Sequence, residues 1–357
     1  MTHEAAILGA GILGLLLARE LESRGWTVRI FDRSTASSRT KNTSAAAGGM
    51  LAPYSELESS EAAISEWGLR SLTLWPEILA ALPEPVFYRQ AGSLILSHPR
   101  DRSHADQLIA RIRSQAPESA YRWVEVGTCE PELAETFSHG LLLPTEAHLD
   151  NRQLLAVLER HLRLKGVTFV DETPILSIDP QNCLVTRDES FSCDRIFDCR
   201  GSGATQDLPD LRGVRGEAFI VQAPDVSLQR PVRLMHPRYA VYIVPRAEAC
   251  FYIGATALET SDDGPVTIRS TLELLSAAYS VHRGFAEARV VESLVGLRPA
   301  FSDHSPRIQV ERDGRFIRMN GLYRHGFLLA PFLVEQLGFY LDDKAVETKI
   351  FTFVERS

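Results

Sequence analysis

Three glycines and an aspartate near the start of the chain have the spacing of a phosphate-binding turn. Gly9, Gly11 and Gly14 form a G-x-G-x-x-G pattern between an apolar run and a helical pattern, and Asp32 ends the next apolar run. The first glycine permits a tight turn, the second admits a pyrophosphate to the backbone, and the third lets helix and strand pack closely. The Asp32 carboxylate can accept a hydrogen bond from a ribose hydroxyl. The pattern predicts a dinucleotide site; a glycine-rich turn without a ligand is the alternative.

The rest of the chain favours a flavin over a nicotinamide dinucleotide. Asp32 disfavours the 2′-phosphate of NADP, which leaves NAD and FAD. A nicotinamide enzyme usually continues with regular βαβ units, whereas residues 34–53 of this chain are mostly small or polar. The pattern returns to a strand of the parallel sheet only near Val167. This interrupted layout is typical of flavoproteins.

The phosphate-binding turn requires a parallel sheet to hold it. Apolar periodicity predicts a strand at Ala5–Leu8, a helix at Ile12–Arg24 and a strand at Trp26–Phe31, which together form a βαβ unit. Asp150 is predicted to cap a further helix, and a buried strand at Val167–Val170 follows it. We expect this helix and strand to extend the same sheet.

A second region of different architecture is expected. Strand-like runs at Ala218–Gln222, Tyr239–Pro245 and Phe251–Ala255 follow one another without intervening helices, which indicates an antiparallel sheet. Helices are predicted near Thr267–Val281 and Leu328–Leu341. The fold class is therefore mixed α/β, with a Rossmann-like domain and a second, largely antiparallel-sheet domain. The expected boundaries are 1–84, 144–212 and 296–357 for the first domain, and 85–143 and 213–295 for the second.

Composition narrows the classes of function. The 357 residues include 38 Lys+Arg and 46 Asp+Glu, a net charge of -8, which disfavours a nucleic-acid partner. The five cysteines are scattered without a C-x-x-C pair, which disfavours disulfides and a zinc site and fits the cytoplasm. We expect no metal, since the histidines lack ligand spacing, and no hydrolase, since no G-x-S-x-G occurs. The apolar stretch Ala5–Ala18 is shorter than the roughly 18 residues that span a bilayer, so no membrane association is expected.

Five further segments, in order along the chain, carry a family resemblance: Asn42–Pro53, Tyr242–Arg246, Gly254–Thr256, Gly296–Pro299 and Gly321–Pro331. With the N-terminal pattern they closely resemble the glycine oxidases of bacterial thiamine biosynthesis, members of the D-amino-acid oxidase family of FAD enzymes. The resemblance covers nearly the whole chain. Several ordered motifs are more specific than any one of them.

The resemblance implies the residues of the site. It implies that Arg298 and Arg324 touch the substrate and that Tyr242 is a third pocket residue. It implies FAD contacts at Ile12, Leu13, Asp32, Arg33, Asn42, Thr43, Ala47, Gly48, Gly49, Ile175, Leu322, Tyr323, Arg324, His325, Gly326, Phe327 and Leu328. The predicted FAD site also includes the turn glycines Gly9, Gly11 and Gly14, together with Ser44 and Met50. We expect FAD to be bound there non-covalently. The chain departs from its relatives in two places. His304 and Gln309 replace glycines of a D-G-x-P-x-I-G turn, and His325 stands where some relatives carry Asn.

The chemistry of these residue types agrees with an amino-acid substrate. Arg298 lies between Leu297 and Pro299, and a guanidinium in an apolar setting pairs with both oxygens of a carboxylate. A surface salt bridge is the alternative for Arg298, and plain packing is the alternative for Tyr242. A helix that begins at Gly326 could direct its positive dipole end at the reduced flavin, or could be an ordinary core helix.

The expected activity is oxidation of the C–N bond of glycine or another small amino acid, with oxygen as electron acceptor. The products would be hydrogen peroxide and an imine, which either hydrolyses to glyoxylate and ammonia or enters the thiazole of thiamine. The alternatives are an FAD-dependent D-amino-acid or sarcosine-type oxidase, a dehydrogenase that reduces a membrane quinone, a tRNA-modifying flavoenzyme, and a non-catalytic FAD protein. The sequence leaves a homo-oligomer open.

The positions of the cysteines predict that FAD is released by acid. Some members of the family attach flavin through a cysteine in the C-terminal part of the chain, and this chain has no cysteine after Cys250. Acid precipitation of the purified protein should therefore leave the yellow colour in the supernatant. Colour that stays with the pellet would contradict non-covalent binding.

Overall fold

The structure is a computed structural model, and it describes residues 3–35, 37–58, 61–178, 183–187, 189–235 and 241–354. Its α-helices are α1 (Ile12–Ser23), α2 (Ala62–Ala80), α3 (Arg102–Gln115), α4 (Asn151–Leu164), α5 (Ile268–Val281) and α6 (Gly326–Leu341). Its strands are β1 (Glu4–Leu8), β2 (Thr27–Phe31), β3 (Met50–Leu51), β4 (Tyr88–Arg89), β5 (Ser93–Leu96), β6 (Arg122–Glu125), β7 (His139–Leu143), β8 (Ala147–Leu149), β9 (Thr168–Val170), β10 (Ser177–Ile178), β11 (Cys183–Val185), β12 (Ser190–Ser192), β13 (Arg195–Asp198), β14 (Arg212–Gln222), β15 (Val232–Leu234), β16 (Val241–Pro245), β17 (Cys250–Gly254), β18 (Arg289–Ala300), β19 (Arg307–Glu311), β20 (Phe316–Asn320) and β21 (Phe351–Phe353).

The N-terminal βαβ unit belongs to a mostly parallel sheet. Within the described residues the strand order of this sheet is β21-β19-β20-β13-β1-β2-β9, and only β19 and β20 pair antiparallel. The predicted βαβ unit is confirmed, and β9 does extend the sheet beside β2. The expectation that β9 is buried was wrong: Thr168 is exposed and Phe169 and Val170 are half-buried, because β9 is an edge strand.

Helices pack on this sheet and form a hydrophobic core together with its strands. The residues of α1 from Ile12 to Ala18 are all buried, and α6 is buried along most of its length. A helix that is apolar on all sides must lie inside a protein, which agrees with the single hydrophobic cluster that α1, α4 and α6 share with the sheet. The predicted cap of α4 is confirmed, because the Asp150 carboxylate accepts hydrogen bonds from the backbone N–H groups of Arg152 and Gln153 at 3.0 Å.

The second large sheet is mainly antiparallel, as expected. Its strand order among the described residues is β18-β14-β17-β16-β15-β5-β7-β6, and β15 with β5 is the parallel pair. The helix α5 packs on it around a separate hydrophobic cluster. Residues 239 and 240 of the predicted strand Tyr239–Pro245 lie outside the described residues.

The long pair of strands β14 and β18 was only partly predicted. β14 begins at Arg212 rather than Ala218, because Arg215 and Glu217 interrupt the apolar pattern although both side chains are buried in the fold. Their ion pair joins Nη2 and Oε1 at 2.6 Å. β18 contains the expected domain boundary between residues 295 and 296, and the division into domains stays a prediction.

Among the described helices, none combines the length and apolar character needed to cross a membrane. Nor does the described part of the chain bring three or more His, Cys, Asp or Glu side chains together in a metal-binding group. All five cysteines are free thiols.

Candidate functional site

One large cavity connects the phosphate-binding turn with the predicted substrate residues. Its volume is about 920 Å³, and its walls come from both large sheets. Asp32 at the end of β2 and Arg298 on β18 both line it, together with Tyr242 on β16. The residues that the sequence separates into two groups therefore face one continuous space.

The turn between β1 and α1 is shaped by its glycines. Gly9 has φ of +100°, a left-handed conformation that favours glycine. Gly11 is the N-cap of α1, and the next N–H, that of Ile12, donates to Ser44 Oγ at 3.1 Å. Gly14 lies outside the cavity lining, and a Cβ there would collide with the carbonyl oxygen of Gly9. Its role is thus the close packing of helix on strand, while Gly9 and Gly11 face the cavity.

Asp32 holds the turn as well as facing the cavity. Its Oδ2 accepts from the N–H of Ala10 at 2.7 Å and its Oδ1 accepts from the N–H of Ser34 at 2.8 Å. Each carboxylate oxygen has two lone pairs, so capacity for a ribose hydroxyl is left. The end of β2 and the glycine turn are therefore fixed to each other before any ligand enters.

The segment of small residues at 42–50 forms one wall of the cavity. Asn151 Nδ2 donates to the carbonyl oxygens of Ser44 and Ala45 at 2.7 and 3.1 Å. Gly48 lies against the ring of Tyr252, where an added Cβ would stand 3.0 Å from the ring. A side chain at position 48 would therefore strike Tyr252, and close packing rather than loop flexibility accounts for the glycine there.

Arg298 lies on β18 with its guanidinium over the neighbouring strand. The side chain is half-buried, and Nη1 donates to the carbonyl oxygen of Thr256 at 2.8 Å. Burial, followed by the positive charge of Arg324, lowers the pKa of Arg298. Because like charges repel, two guanidinium groups that face one cavity favour the binding of an anionic ligand there.

A carboxylate that the sequence did not suggest lies beside them. Tyr242 donates its hydroxyl hydrogen to Oε1 of Glu56 at 3.1 Å, and Oε2 is 3.5 Å from Nε of Arg324. Burial acts to raise the pKa of Glu56, but the positive charges near it, that of Arg324 above all, outweigh burial, and the pKa is lowered. A tyrosine has one hydroxyl hydrogen, so Tyr242 can donate to a substrate carboxylate only after releasing Glu56.

A second acid, Glu146, supports the loop that carries Glu56. It is fully buried, and its carboxylate accepts from the N–H groups of Tyr54 and Ser55 at 3.0 and 2.7 Å and from the hydroxyls of Ser55 and Ser93. Burial raises its pKa to about 7 in spite of these hydrogen bonds. Its contacts fix the backbone one residue before Glu56.

The last wall is the segment that leads into α6. Tyr323 adopts φ of 46° and stacks on the ring of His304 at 4.4 Å, and His304 itself has φ of 56°. The histidine that replaces a glycine of the related motif therefore keeps a glycine-like conformation. His325 is the N-cap of α6 and is buried, and burial lowers its pKa to about 4, so its ring is neutral at neutral pH.

The cavity gathers most of the predicted residues. Those that line it are Gly9, Gly11, Ile12, Leu13, Asp32, Arg33, Asn42, Thr43, Ser44, Ala47, Gly48, Gly49, Met50, Ile175, Tyr242, Arg298, Leu322, Tyr323, Arg324, Gly326 and Phe327. Gly14, His325 and Leu328 do not line it. Leu328 packs on Gly68 of α2, where its side chain lies about 3 Å from the position of an added Cβ. The roles of all these residues stay predictions.

Sequence reasoning missed Glu56, Tyr252 and Gly216, which also line the cavity. Glu56 lies in a polar turn with a second acid nearby, a pattern that usually indicates a solvated surface. Tyr252 lies in a strand that was predicted, but its alternation with apolar neighbours indicates packing as readily as a site. No local signal distinguishes these residues.

The chain is similar in sequence and in fold to known FAD-dependent oxidoreductases. Residues 4–337 match the family described as DAO, FAD dependent oxidoreductase. A Rhizobium etli protein named for thiamine biosynthesis as oxidoreductase ThiO is 41% identical over 332 residues, which are 92% of this chain and 93% of that protein. The glycine oxidase of Geobacillus kaustophilus is 28% identical over 353 residues, 93% of this chain and 91% of that one. A crystal structure of glycine oxidase from Geobacillus kaustophilus has the same fold, with a TM-score of 0.85 at 24% identity and 100% of both chains covered.

The position of Asp32 generates a prediction about cofactor retention. Asp32→Ala should weaken FAD binding by about tenfold to 100-fold, the range expected for hydrogen bonds to a charged group, and should leave the substrate KM unchanged at saturating FAD. Asp32→Asn keeps one carbonyl acceptor for the Ala10 N–H and should lose less. Titration of the apoprotein with FAD measures the effect. An unchanged FAD affinity in Asp32→Ala would show that the carboxylate does not contact the cofactor.

Proposed function

This chain belongs to the DAO family of FAD-dependent oxidoreductases, and from that premise we propose that it oxidises the C–N bond of glycine or another small amino acid. The imine that forms either hydrolyses to glyoxylate and ammonia or supplies the thiazole of thiamine, and oxygen is reduced to hydrogen peroxide. The relatives named for thiamine biosynthesis and for glycine oxidation support this assignment. The five free thiols support a cytoplasmic location.

The residues of the cavity fit FAD. A glycine turn, a helix N-terminus and an acid at the end of β2 are the groups that accept a pyrophosphate and a ribose, and all three face the cavity. Gly9, Gly11 and Asp32 would hold the adenosine diphosphate part, and the 42–50 segment and the N-terminus of α6 would hold the flavin part. When bound, FAD supplies the two-electron chemistry.

The observation that carries the substrate assignment is the pair of guanidinium groups facing one cavity. Arg298 and Arg324 give this end of the cavity an excess of positive charge over Glu56, and burial makes that charge costly without an anion. An amino-acid carboxylate meets this requirement, and an amine without a carboxylate does not. Arg298 would hold the carboxylate, and Tyr242 would join it after its hydroxyl turns from Glu56.

The chain need not supply a general base. If the substrate amine arrives neutral, the protein has only to bind the carboxylate, orient Cα and exclude water. The neutral ring of His325 and the lowered pKa of Glu56 agree with a site that works through position and charge. At the N-terminus of α6, free N–H groups and the positive dipole end would stabilise negative charge nearby.

A spectroscopic experiment tests the function. The purified yellow protein is mixed anaerobically with glycine, sarcosine and D-alanine in turn. We expect glycine to bleach the flavin absorbance, because the cavity offers a carboxylate site and the named relatives oxidise glycine. Bleaching by D-alanine alone would favour the D-amino-acid alternative, and no bleaching by any of the three would contradict the proposal.

Substitution of Arg298 tests the carboxylate site. Loss of one partner of a hydrogen-bonded charge pair costs about 2–5 kcal/mol, so Arg298→Ala should lower kcat/KM for glycine by about 30-fold to several-thousand-fold. Arg298→Lys keeps the charge but loses the planar fork, so its kcat/KM should fall between those of wild type and Arg298→Ala. Arg289→Ala, an exposed arginine at the start of the same strand, is the matched control.

Steady-state kinetics measure the effect of these substitutions, after the FAD content of each variant has been checked. A carboxylate-free amine of similar size should lose much less activity in Arg298→Ala, since it never uses the guanidinium. An Arg298→Ala enzyme within roughly threefold of wild type on glycine would rule out the assigned role, because that change lies far below the expected loss.

A further inference from the structure

Gly216 lies on β14 at a point where glycine is not required by the backbone. It is buried, pairs with Gly296 across to β18, and is absent from the residues with positive φ. Any residue could adopt this strand conformation. A glycine in a strand interior that is not a turn or a bulge marks a close approach by another group.

The group that approaches Gly216 is the guanidinium of Arg298. A Cβ added at Gly216 would stand 2.5 Å from Cζ and 2.8 Å from Nη1 of Arg298, with Nη2 nearer still. Real Cβ atoms essentially never approach other atoms so closely. The guanidinium therefore occupies the space that any other side chain at position 216 would need.

The residue that follows Gly216 fixes the partner of the same guanidinium. The N–H of Glu217 donates to Thr256 Oγ1 at 2.9 Å, and the N–H of Thr256 donates to the carbonyl oxygen of Glu217 at 3.2 Å. These two hydrogen bonds set the position of Thr256, whose carbonyl oxygen accepts from Arg298 Nη1 at 2.8 Å. Glu217 is itself held by the buried Arg215.

We propose that Gly216 is a positioning residue that sets how deep the guanidinium of Arg298 lies in the cavity wall, and so sets the affinity of the site for the substrate carboxylate. The absent side chain lets the guanidinium lie flat against β14 while Nη1 is bonded to Thr256. A methyl group at position 216 pushes the guanidinium into the cavity and breaks the bond to Thr256. The proposal rests on the role of Arg298 in the proposed function.

Kinetics of Gly216→Ala test this proposal. The variant should raise the KM for glycine and the inhibition constant of acetate, a carboxylate without an amine, each by about tenfold to 100-fold, the range for a hydrogen bond to a charged group. The kcat at saturating glycine should stay within about threefold of wild type, and FAD content should not change. Equal values of KM and of the acetate constant in Gly216→Ala and wild type would overturn the proposal.

Gly213→Ala is the matched control on the same strand. Gly213 also pairs with β18, opposite Pro299, and a Cβ there would stand 3.1 Å from Ser261 Oγ, a side-chain atom that can move. We expect its KM and acetate constant to match wild type. If Gly213→Ala raises both as much as Gly216→Ala does, the effect belongs to β14 in general and the proposal is wrong.

Combination with substitutions of Arg298 separates positioning from misfolding. Gly216→Ala should change neither constant further in an Arg298→Ala background, because the group that it displaces is gone. In an Arg298→Lys background, Gly216→Ala should likewise leave the glycine KM and the acetate constant unchanged. The lysine ammonium has no second nitrogen that could lie against position 216. Additive losses in both backgrounds would contradict the proposal, as would loss of FAD from the double variants. If wild type oxidises none of glycine, sarcosine and D-alanine, the proposed function itself has failed, and direct binding of acetate to wild type and Gly216→Ala still decides the role of Gly216.

Discussion

Keeping positive charge inside the cavity wall is the physical constraint on which the substrate end of this protein depends. Burial and Arg324 both lower the pKa of Arg298, so other groups must offset the free energy that is lost when the guanidinium is desolvated. Part of that compensation comes from the carbonyl oxygen of Thr256, and Glu56 supplies a negative charge beside Arg324. A bound carboxylate would supply the rest, and the region would then be selective for anionic substrates.

The residues around the charged groups of Arg298 and Glu56 hold these groups in fixed positions. β14 gives the guanidinium a surface without a side chain at Gly216, and the buried pair of Arg215 and Glu217 holds the strand. On the other side, the hydrogen bonds of Glu146 hold the turn that presents Glu56. These networks cost desolvation energy, and their full set of hydrogen bonds is what makes them rigid.

Much of the dinucleotide end of the cavity could be predicted from the sequence. The glycine turn, the helix after it and Asp32 lie within one short stretch of chain, and their structure follows from local spacing. The cap of α4 by Asp150 was predicted for the same reason. The edge position of β9 and the early start of β14 were not, because an edge and a buried ion pair exist only once distant strands have paired.

The sequence by itself predicted a dinucleotide site at the N-terminal turn and determined that the chain carries the ordered motifs of an FAD enzyme family. The tertiary structure alone decided which further side chains, such as Glu56, lie beside Arg298, Arg324 and Tyr242. Glu56 meets Tyr242 across 186 positions of the chain, and Arg298 meets Thr256 across 42. Burial, pKa shifts and the close approach of the Arg298 guanidinium to Gly216 all arise from such distant contacts, and no local pattern of residues records them.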